Sequence, residues 1–162
     1  MIAIRYRFFR TRDSTGKTSK ARDQEAQSMT TKKTMWLASL VTAINVLVAA
    51  GFSIAGLISP QAVLPTGAVP TEASSLFAMY AAARAIPLAL ITLAAIYRRA
   101  TQALLILGTL AGVIQLLDAA IGLLQHDAGK FAGPLLIAIV QFSALLVLNS
   151  SIQGRAATET SS

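Results

Sequence analysis

The sequence predicts an all-α integral membrane protein, a bundle of four antiparallel transmembrane helices. Of its 162 residues, 54% are hydrophobic and only 13% are charged, a composition too apolar for an ordinary water-soluble domain. Four apolar runs are each long enough to cross a hydrocarbon core about 30 Å thick. They must be helices, because an open sheet would leave backbone polar groups unpaired in lipid.

The segment before the first apolar run is polar and basic. Residues 1–33 contain nine Lys and Arg against three Asp and Glu, and the rest of the chain is nearly neutral. Since residues 1–34 show neither helical nor strand periodicity, we expect a disordered cytoplasmic tail. Met29 directly precedes the apolar run, so residues 1–28 are interpreted as an over-extended start, with Met1 as the alternative. The tail lacks the pattern of a nucleic-acid-binding module, and no nucleic acid is expected as a partner.

The predicted spans are residues 35–59, 75–97, 101–125 and 131–152, which together form a membrane domain over 35–152 with a short cytoplasmic tail over 153–162. The first span imitates a signal peptide, with Lys32 and Lys33 before it and small residues at 48–50. Its apolar run continues to Ile58, beyond a typical signal peptide, so retention is favoured and cleavage is the alternative. Arg98 and Arg99 lie in a tight turn, which predicts an antiparallel hairpin of spans two and three.

Charges in the connections predict the orientation. The first connection has three prolines and no Lys or Arg, whereas the second contains Arg98 and Arg99. The third contains only Lys130, with Asp127 nearby, and the C-terminal tail contains Arg155. Because Lys and Arg near spans are retained in the cytoplasm, we expect both termini on the cytoplasmic side of the cell membrane. The Pro-rich connection then lies outside as a stiff, extended segment.

Two charged residues lie inside the predicted spans, Arg84 in the second and Asp118 in the third. Each costs about 3 kcal/mol in the bilayer unless it finds a partner or water. The two spans are antiparallel neighbours and place these residues at similar depth. We therefore predict an ion pair between Arg84 and Asp118.

Helical periodicity gives the third span two different sides. Small and polar residues share one stripe, formed by Gly108, Ala111, Gly112, Gln115, Asp118, Ala119 and Gly122. Branched apolar residues lie opposite, namely Ile106, Leu110, Val113, Leu117 and Leu124. We predict that the small and polar stripe faces protein, because the spacing of Gly108 and Gly112 allows close helix approach.

These residues predict a buried polar site that opens toward the outer side of the membrane. Its candidate members are Arg84, Asp118, Gln115, Tyr80, Gln141 and Asn45. Such a site has two interpretations. It is a packing lock that holds the helices in register, or it binds a small molecule or handles protons. The lock is favoured, since a single charge pair is little for a transporter and the spans show no internal repeat.

Catalytic, metal-binding and cofactor motifs are not found in the sequence. It has no cysteine, and it contains no HExxH, P-loop, nucleophile elbow or glycine-rich dinucleotide fingerprint. The single histidine, His126, lies in a connection beside Asp127 and is predicted to be a solvated turn residue. We therefore predict no catalytic residue, no cofactor and no metal, and an enzyme is the third alternative.

Four motifs follow the Pro-rich connection in a characteristic order. They are Phe77-Ala-Met-Tyr80-Ala-Ala-Ala-Arg84-Ala, Tyr97-Arg-Arg99, Gln115-Leu-Leu-Asp118-Ala-Ala-Ile-Gly122 and Gly133-Pro134. Over residues 35–148 the chain resembles the DoxX-like superfamily of small bacterial four-helix membrane proteins. The resemblance implies a bacterial inner membrane location and, by analogy with DoxX proteins, a quinone-linked redox complex as the partner. It implies no specific activity.

We therefore expect an accessory or scaffolding membrane protein that contacts the lipid bilayer and a membrane protein partner. The alternative is a small-molecule or proton-handling binder or transporter that uses the buried Arg/Asp site. Homo-oligomerisation is also expected, because Gly51 and Ala55 offer a small-residue surface for helix contacts, although the bundle itself is the other use for that surface.

Overall fold

The computed structural model describes residues 14–62, 64 and 67–160. Its helices are α1 (Ser14–Ile58), α2 (Glu72–Tyr97), α3 (Thr101–Leu124) and α4 (Ala128–Thr160), with a short 3-10 helix at Pro60–Ala62. All four α-helices contain a segment long and apolar enough to cross a membrane, and no strand occurs in the part of the chain that the structure describes. The predicted all-α four-helix membrane bundle is confirmed.

The helices continue beyond the predicted spans at both ends of the chain. α1 begins at Ser14, so residues 14–34 are helical where a disordered tail is expected, and α4 continues through residues 153–160. Once a span is helical, each added residue gains a backbone hydrogen bond without a new nucleation step, even where the side chains show no periodicity. The remaining parts of the predicted tails, residues 1–13 and 161–162, lie outside the described residues.

α2 begins with a capping box that sets its first residue. The backbone N–H of Ser74 donates to Oγ1 of Thr71 at 3.2 Å, and the N–H of Thr71 donates to Oγ of Ser74 at 2.9 Å. These bonds satisfy N–H groups that a helix start leaves unpaired. As a result α2 begins at Glu72, three residues before the predicted span, and it continues past Pro87 to Tyr97.

The two short turns end their helices in the same way. After α2, the N–H groups of Arg99 and Ala100 donate to the carbonyls of Ile96 and Ala95, which is a Schellman motif. Arg99, the residue after the C-cap Arg98, has a positive φ of 52°. His126, the residue after the C-cap of α3, has a φ of 54°. The predicted hairpin of α2 and α3 and the predicted turn at His126 are both confirmed.

α3 and α4 form the closest helix pair of the bundle. A Cβ on Gly122 would overlap the backbone of Lys130 and Phe131 at the start of α4, and a Cβ on Gly112 would lie 2.9 Å from the ring of Phe142. α1 packs against both α2 and α4, whereas α2 and α3 pack less extensively than the other neighbouring helices. The absence of side chains at these glycines is what lets α3 approach α4.

The two ends of the bundle differ in charge. Oγ1 of Thr34 lies 3.0 Å from Oγ of Ser151, so the first and last spans meet at one end. That end carries most of the bundle's cationic side chains, and we call it the basic end. It comprises Lys32, Lys33, Arg98, Arg99 and Arg155. At the opposite end, Asp127 caps α4 by accepting from the N–H groups of Gly129 and Lys130, both at 3.1 Å.

Candidate functional site

The stripe of small and polar residues on α3 faces the interior, as predicted. Six of its seven members are buried, and a seventh buried position, Leu104, continues the stripe toward the basic end. The apolar residues predicted to lie opposite are exposed. The exception on the stripe is Asp118, which is exposed. Helical periodicity therefore identifies the interior side of α3 correctly, but the bundle does not cover Asp118 on that side.

A chain of polar side chains crosses the core and joins three helices. Nε2 of Gln115 on α3 donates to Oδ1 of Asn45 on α1 at 2.7 Å, and Nδ2 of Asn45 donates to Oε1 of Gln141 on α4 at 3.3 Å. Nε2 of Gln141 then donates to Oγ1 of Thr42 at 2.8 Å, and Thr42 donates to the carbonyl of Ala38 at 2.7 Å. We call Thr42, Asn45, Gln115 and Gln141 the amide network.

The amide network lies near the middle of the membrane span and is closed to the surface. Asn45 is ten residues from Met35, or about 15 Å along α1, close to the centre of a 30 Å hydrocarbon core. Gln141 and Thr42 are 0% exposed and Asn45 is 1% exposed. A buried amide without a hydrogen-bond partner costs about 1–3 kcal/mol, so these groups stabilise the bundle mainly by satisfying one another.

Two further buried polar residues are missing from the sequence prediction. Thr42 belongs to the amide network, and its spacing of three residues from Asn45, which places both on one helix face, is the signal that identifies it. Thr92 on α2 is 0% exposed, and its Oγ1 is the one buried side-chain oxygen or nitrogen among the described residues without a hydrogen-bond partner. No motif in the sequence distinguishes Thr92 from an ordinary helix threonine.

The structure does not form the predicted ion pair between Arg84 and Asp118. Both residues are exposed, and the single salt bridge found in the described ranges joins Lys130 Nζ and Asp127 at 3.6 Å. Ala89 faces the core from α2, and Arg84, five residues away, lies about 140° around the helix from it. Similar depth on neighbouring helices predicts this pair, but the rotation of α2 points Arg84 away from the core.

Tyr80 also lies outside the predicted site. It is 53% exposed and shares the outer face of α2 with Phe77, Arg84 and Pro87, all exposed. Of the six candidate residues, the structure brings together Asn45, Gln115 and Gln141 in the core. It leaves Arg84, Asp118 and Tyr80 on the surface. The buried site therefore contains no Arg/Asp pair, and these three residues do not form an opening to it.

The chemistry available in the core is hydrogen bonding by neutral groups. Amides and hydroxyls donate and accept hydrogen bonds but do not ionise near neutral pH. No cluster of three or more His, Cys, Asp or Glu that could hold a metal ion occurs in the described part of the chain. The network can therefore hold helices together or orient a neutral polar molecule. Comparison with protein-family models, curated proteins and solved structures finds no match for this chain.

Proposed function

We propose that this integral membrane protein is an accessory or scaffolding component of the cytoplasmic membrane, in which the amide network is a structural lock. The proposal rests on one observation, that the buried side-chain amides hydrogen-bond to side chains of other helices. Asn45 and Gln141 each donate one hydrogen bond and accept one, always to a side chain of another helix. A ligand would have to break these bonds in the membrane interior, at a cost of about 1 kcal/mol each.

The charge distribution supports an orientation with both termini on the cytoplasmic side. The basic end contains Lys32, Lys33, Arg98, Arg99 and Arg155, and cations next to spans favour the cytoplasmic side. With that end inside, both termini are cytoplasmic. The resemblance to DoxX-like proteins supports a bacterial inner membrane and a redox complex as the context in which the scaffold acts.

A second candidate function is the binding of a small neutral polar molecule, and the Thr92 hydroxyl favours it. A buried hydroxyl without a partner costs about 1–3 kcal/mol, and a bound molecule that hydrogen-bonds to it would recover that cost. Such a molecule would lie against the bundle-facing side of α2. Arg84 and Asp118 have no part in this candidate site, since both are exposed.

The two candidates differ when the amide network is replaced as a unit. The test variant replaces the whole network with apolar side chains, through Asn45→Leu, Gln115→Leu, Gln141→Leu and Thr42→Val. No buried amide is then left unpaired, and apolar packing takes the place of the hydrogen bonds between helices. We expect this variant to insert, to show cooperative thermal unfolding in detergent and to retain the membrane proteins that co-purify with the parent protein.

Mass spectrometry of the small molecules bound to both proteins tests the alternative. A neutral molecule that purifies in equimolar amount with the parent, and is lost from the network variant and from Thr92→Val, would overturn the scaffold proposal. Thr109→Val is the matched control, because Thr109 is exposed and its hydroxyl donates only to the carbonyl of Leu105 on the same helix.

A further inference from the structure

The outer surface of α2 and α3 carries charged and aromatic side chains within the membrane-spanning part of the bundle. Arg84 and Asp118 are exposed, and Phe77 and Tyr80 are 71% and 53% exposed beside Arg84. Neither charge has an ion-pair partner among the described residues. Each unpaired charge facing lipid costs about 3 kcal/mol or more, so this surface is unfavourable as it stands.

The depth of these charges prevents the membrane surface from satisfying both of them. Arg84 is fourteen residues from Arg98 and twelve from Glu72, or about 21 and 18 Å from the two ends of α2. Asp118 is six residues from Leu124, or about 9 Å from the end of α3, and its short side chain cannot reach that far. Both groups therefore need a partner inside the bilayer.

The two charges lie at similar depths on neighbouring helices. Counted from the helix ends at the turn between α2 and α3, Tyr97 and Thr101, Arg84 is about 20 Å and Asp118 about 26 Å along its helix. Asp118 follows Ala111 by two helical turns, and Ala111 belongs to one buried apolar cluster with Ala89 of α2 and Val46 of α1. Asp118 therefore lies on the side of α3 that faces these two helices, at a position where the bundle leaves it exposed. The surface thus presents one positive and one negative group, about 6 Å apart in depth.

We propose that a second copy of this chain covers the surface, in a twofold dimer in which Arg84 of each copy pairs with Asp118 of the other. Copies inserted in the same direction are related by an axis along the membrane normal, and each residue then keeps its depth in both copies. The surface is complementary to itself, so one contact neutralises all four charges. Exposed Phe77 and Tyr80 add the aromatic content typical of interface centres.

The dimer does not depend on the accessory role. It rests on the two exposed charges, whereas the scaffold proposal rests on the amide network. The surface also differs from the one that Gly51 and Ala55 form on α1. Failure of one proposal therefore leaves the other intact.

Complementary charge reversals test the pairing between copies. A copy with Arg84→Asp has two carboxylates at the interface and a copy with Asp118→Arg has two guanidinium groups. We expect each variant alone to lose self-association at least tenfold, measured by energy transfer between labelled copies in liposomes. Mixing the two variants is expected to restore association to the parent level. Undiminished self-association of either single variant, or no recovery on mixing, would overturn the proposal.

Chemical cross-linking gives a second measurement of the contact between copies. It leaves one of the two Arg84–Asp118 pairs of the dimer intact. The chain has no cysteine, so introduced cysteines are the only thiols. One copy carries Arg84→Cys and the other Asp118→Cys, which leaves the opposite Asp118–Arg84 pair in place. A short bismaleimide is expected to link the two copies in membranes. The control pairs Asp118→Cys with Ile139→Cys, an exposed position on α4. Equal linking in both pairs, or linking only to another protein, would contradict the dimer.

Discussion

Nε2 of Gln115 lies 2.7 Å from Oδ1 of Asn45, so the middle of α3 is joined to the membrane-spanning part of α1 across the bundle. These two helices pack only lightly against each other, whereas each packs closely against α4. The hydrogen bond between Gln115 and Asn45 therefore joins two diagonally opposite helices, α1 and α3, which share few apolar contacts. Gln141 on α4 extends the connection from Asn45 to Thr42, and the three helices are held in one register.

Removing Gln115 from the network is expected to destabilise the bundle. Gln115→Leu leaves Oδ1 of Asn45 buried without its donor, and the loss should be about 1–3 kcal/mol. Thermal or chemical unfolding in detergent measures it. Gln102→Leu is the matched control, because Gln102 lies exposed on the same helix. Equal effects of the two substitutions would show that the network bond contributes nothing specific.

The two fully buried threonines are expected to respond in opposite ways to valine. Thr42→Val removes a hydroxyl that accepts from Gln141 and donates to Ala38, so stability should fall by about 1 kcal/mol or more. Thr92→Val removes a hydroxyl without a partner, and stability should stay unchanged or rise. Unfolding of both variants under one condition checks the difference. A larger loss for Thr92→Val would indicate that its hydroxyl is bonded in the membrane.

Glycine substitutions are expected to separate packed from open positions. Gly122→Ala places a methyl group against the backbone of Lys130 and Phe131, which cannot move aside as a side chain does. We expect a loss of about 1–3 kcal/mol from overpacking. Gly51→Ala meets no atom within 4 Å and is expected to cause no loss. Melting temperatures in detergent compare the two, and equal values would contradict the close approach of α3 and α4.

Glycine at the left-handed position after α3 is expected to stabilise the protein. His126 has a φ of 54°, a conformation that costs a residue with a Cβ about 1 kcal/mol and glycine almost nothing. His126→Gly should therefore raise stability by up to about 1 kcal/mol, while His126→Ala, which keeps the Cβ, should not. A gain from alanine equal to that from glycine would point to the imidazole rather than the backbone.

The cap of α4 predicts a weak acid sensitivity. Hydrogen bonding from the backbone N–H of Lys130 is the main cause that lowers the pKa of Asp127 below its ordinary value of 3.8, and the Lys130 ammonium group and the N–H of Gly129 contribute. Because the pKa is lower in the folded state, the carboxylate stabilises the fold above pH 3.8 and loses that contribution as the pH falls through its lowered pKa.

The Asp127→Asn variant isolates this acid sensitivity from the cap itself. An asparagine still caps the helix through its side-chain oxygen but cannot titrate. Unfolding midpoints measured between pH 6 and pH 3 should therefore fall slightly more for the parent protein than for Asp127→Asn. An identical decline for both proteins would show that the Asp127 carboxylate is not responsible.

The repeat of a single helix predicts which side of α3 is buried. The stripe on α3 and the spacing of Gly108 and Gly112 depend on the 3.6-residue repeat of one helix, and the burial of these residues follows it. No side-chain pattern indicates that residues 14–34 are helical, since backbone hydrogen bonds continue a helix without one. The capping box that starts α2 at Glu72 involves Thr71 and Ser74, a signal present in the sequence.

The number and helical nature of the spans follow from the chain alone, because long, predominantly apolar runs must pair their backbone groups locally in lipid. The same runs set the depth of every residue. The rotation of each helix against its neighbours depends on packing over the whole bundle, and it directs Asn45 and Gln141 toward each other but turns Arg84 to the surface. Depth is a property of one helix, whereas contact requires two helices to face each other, and for that reason the network and the exposed charges emerge only in the folded bundle.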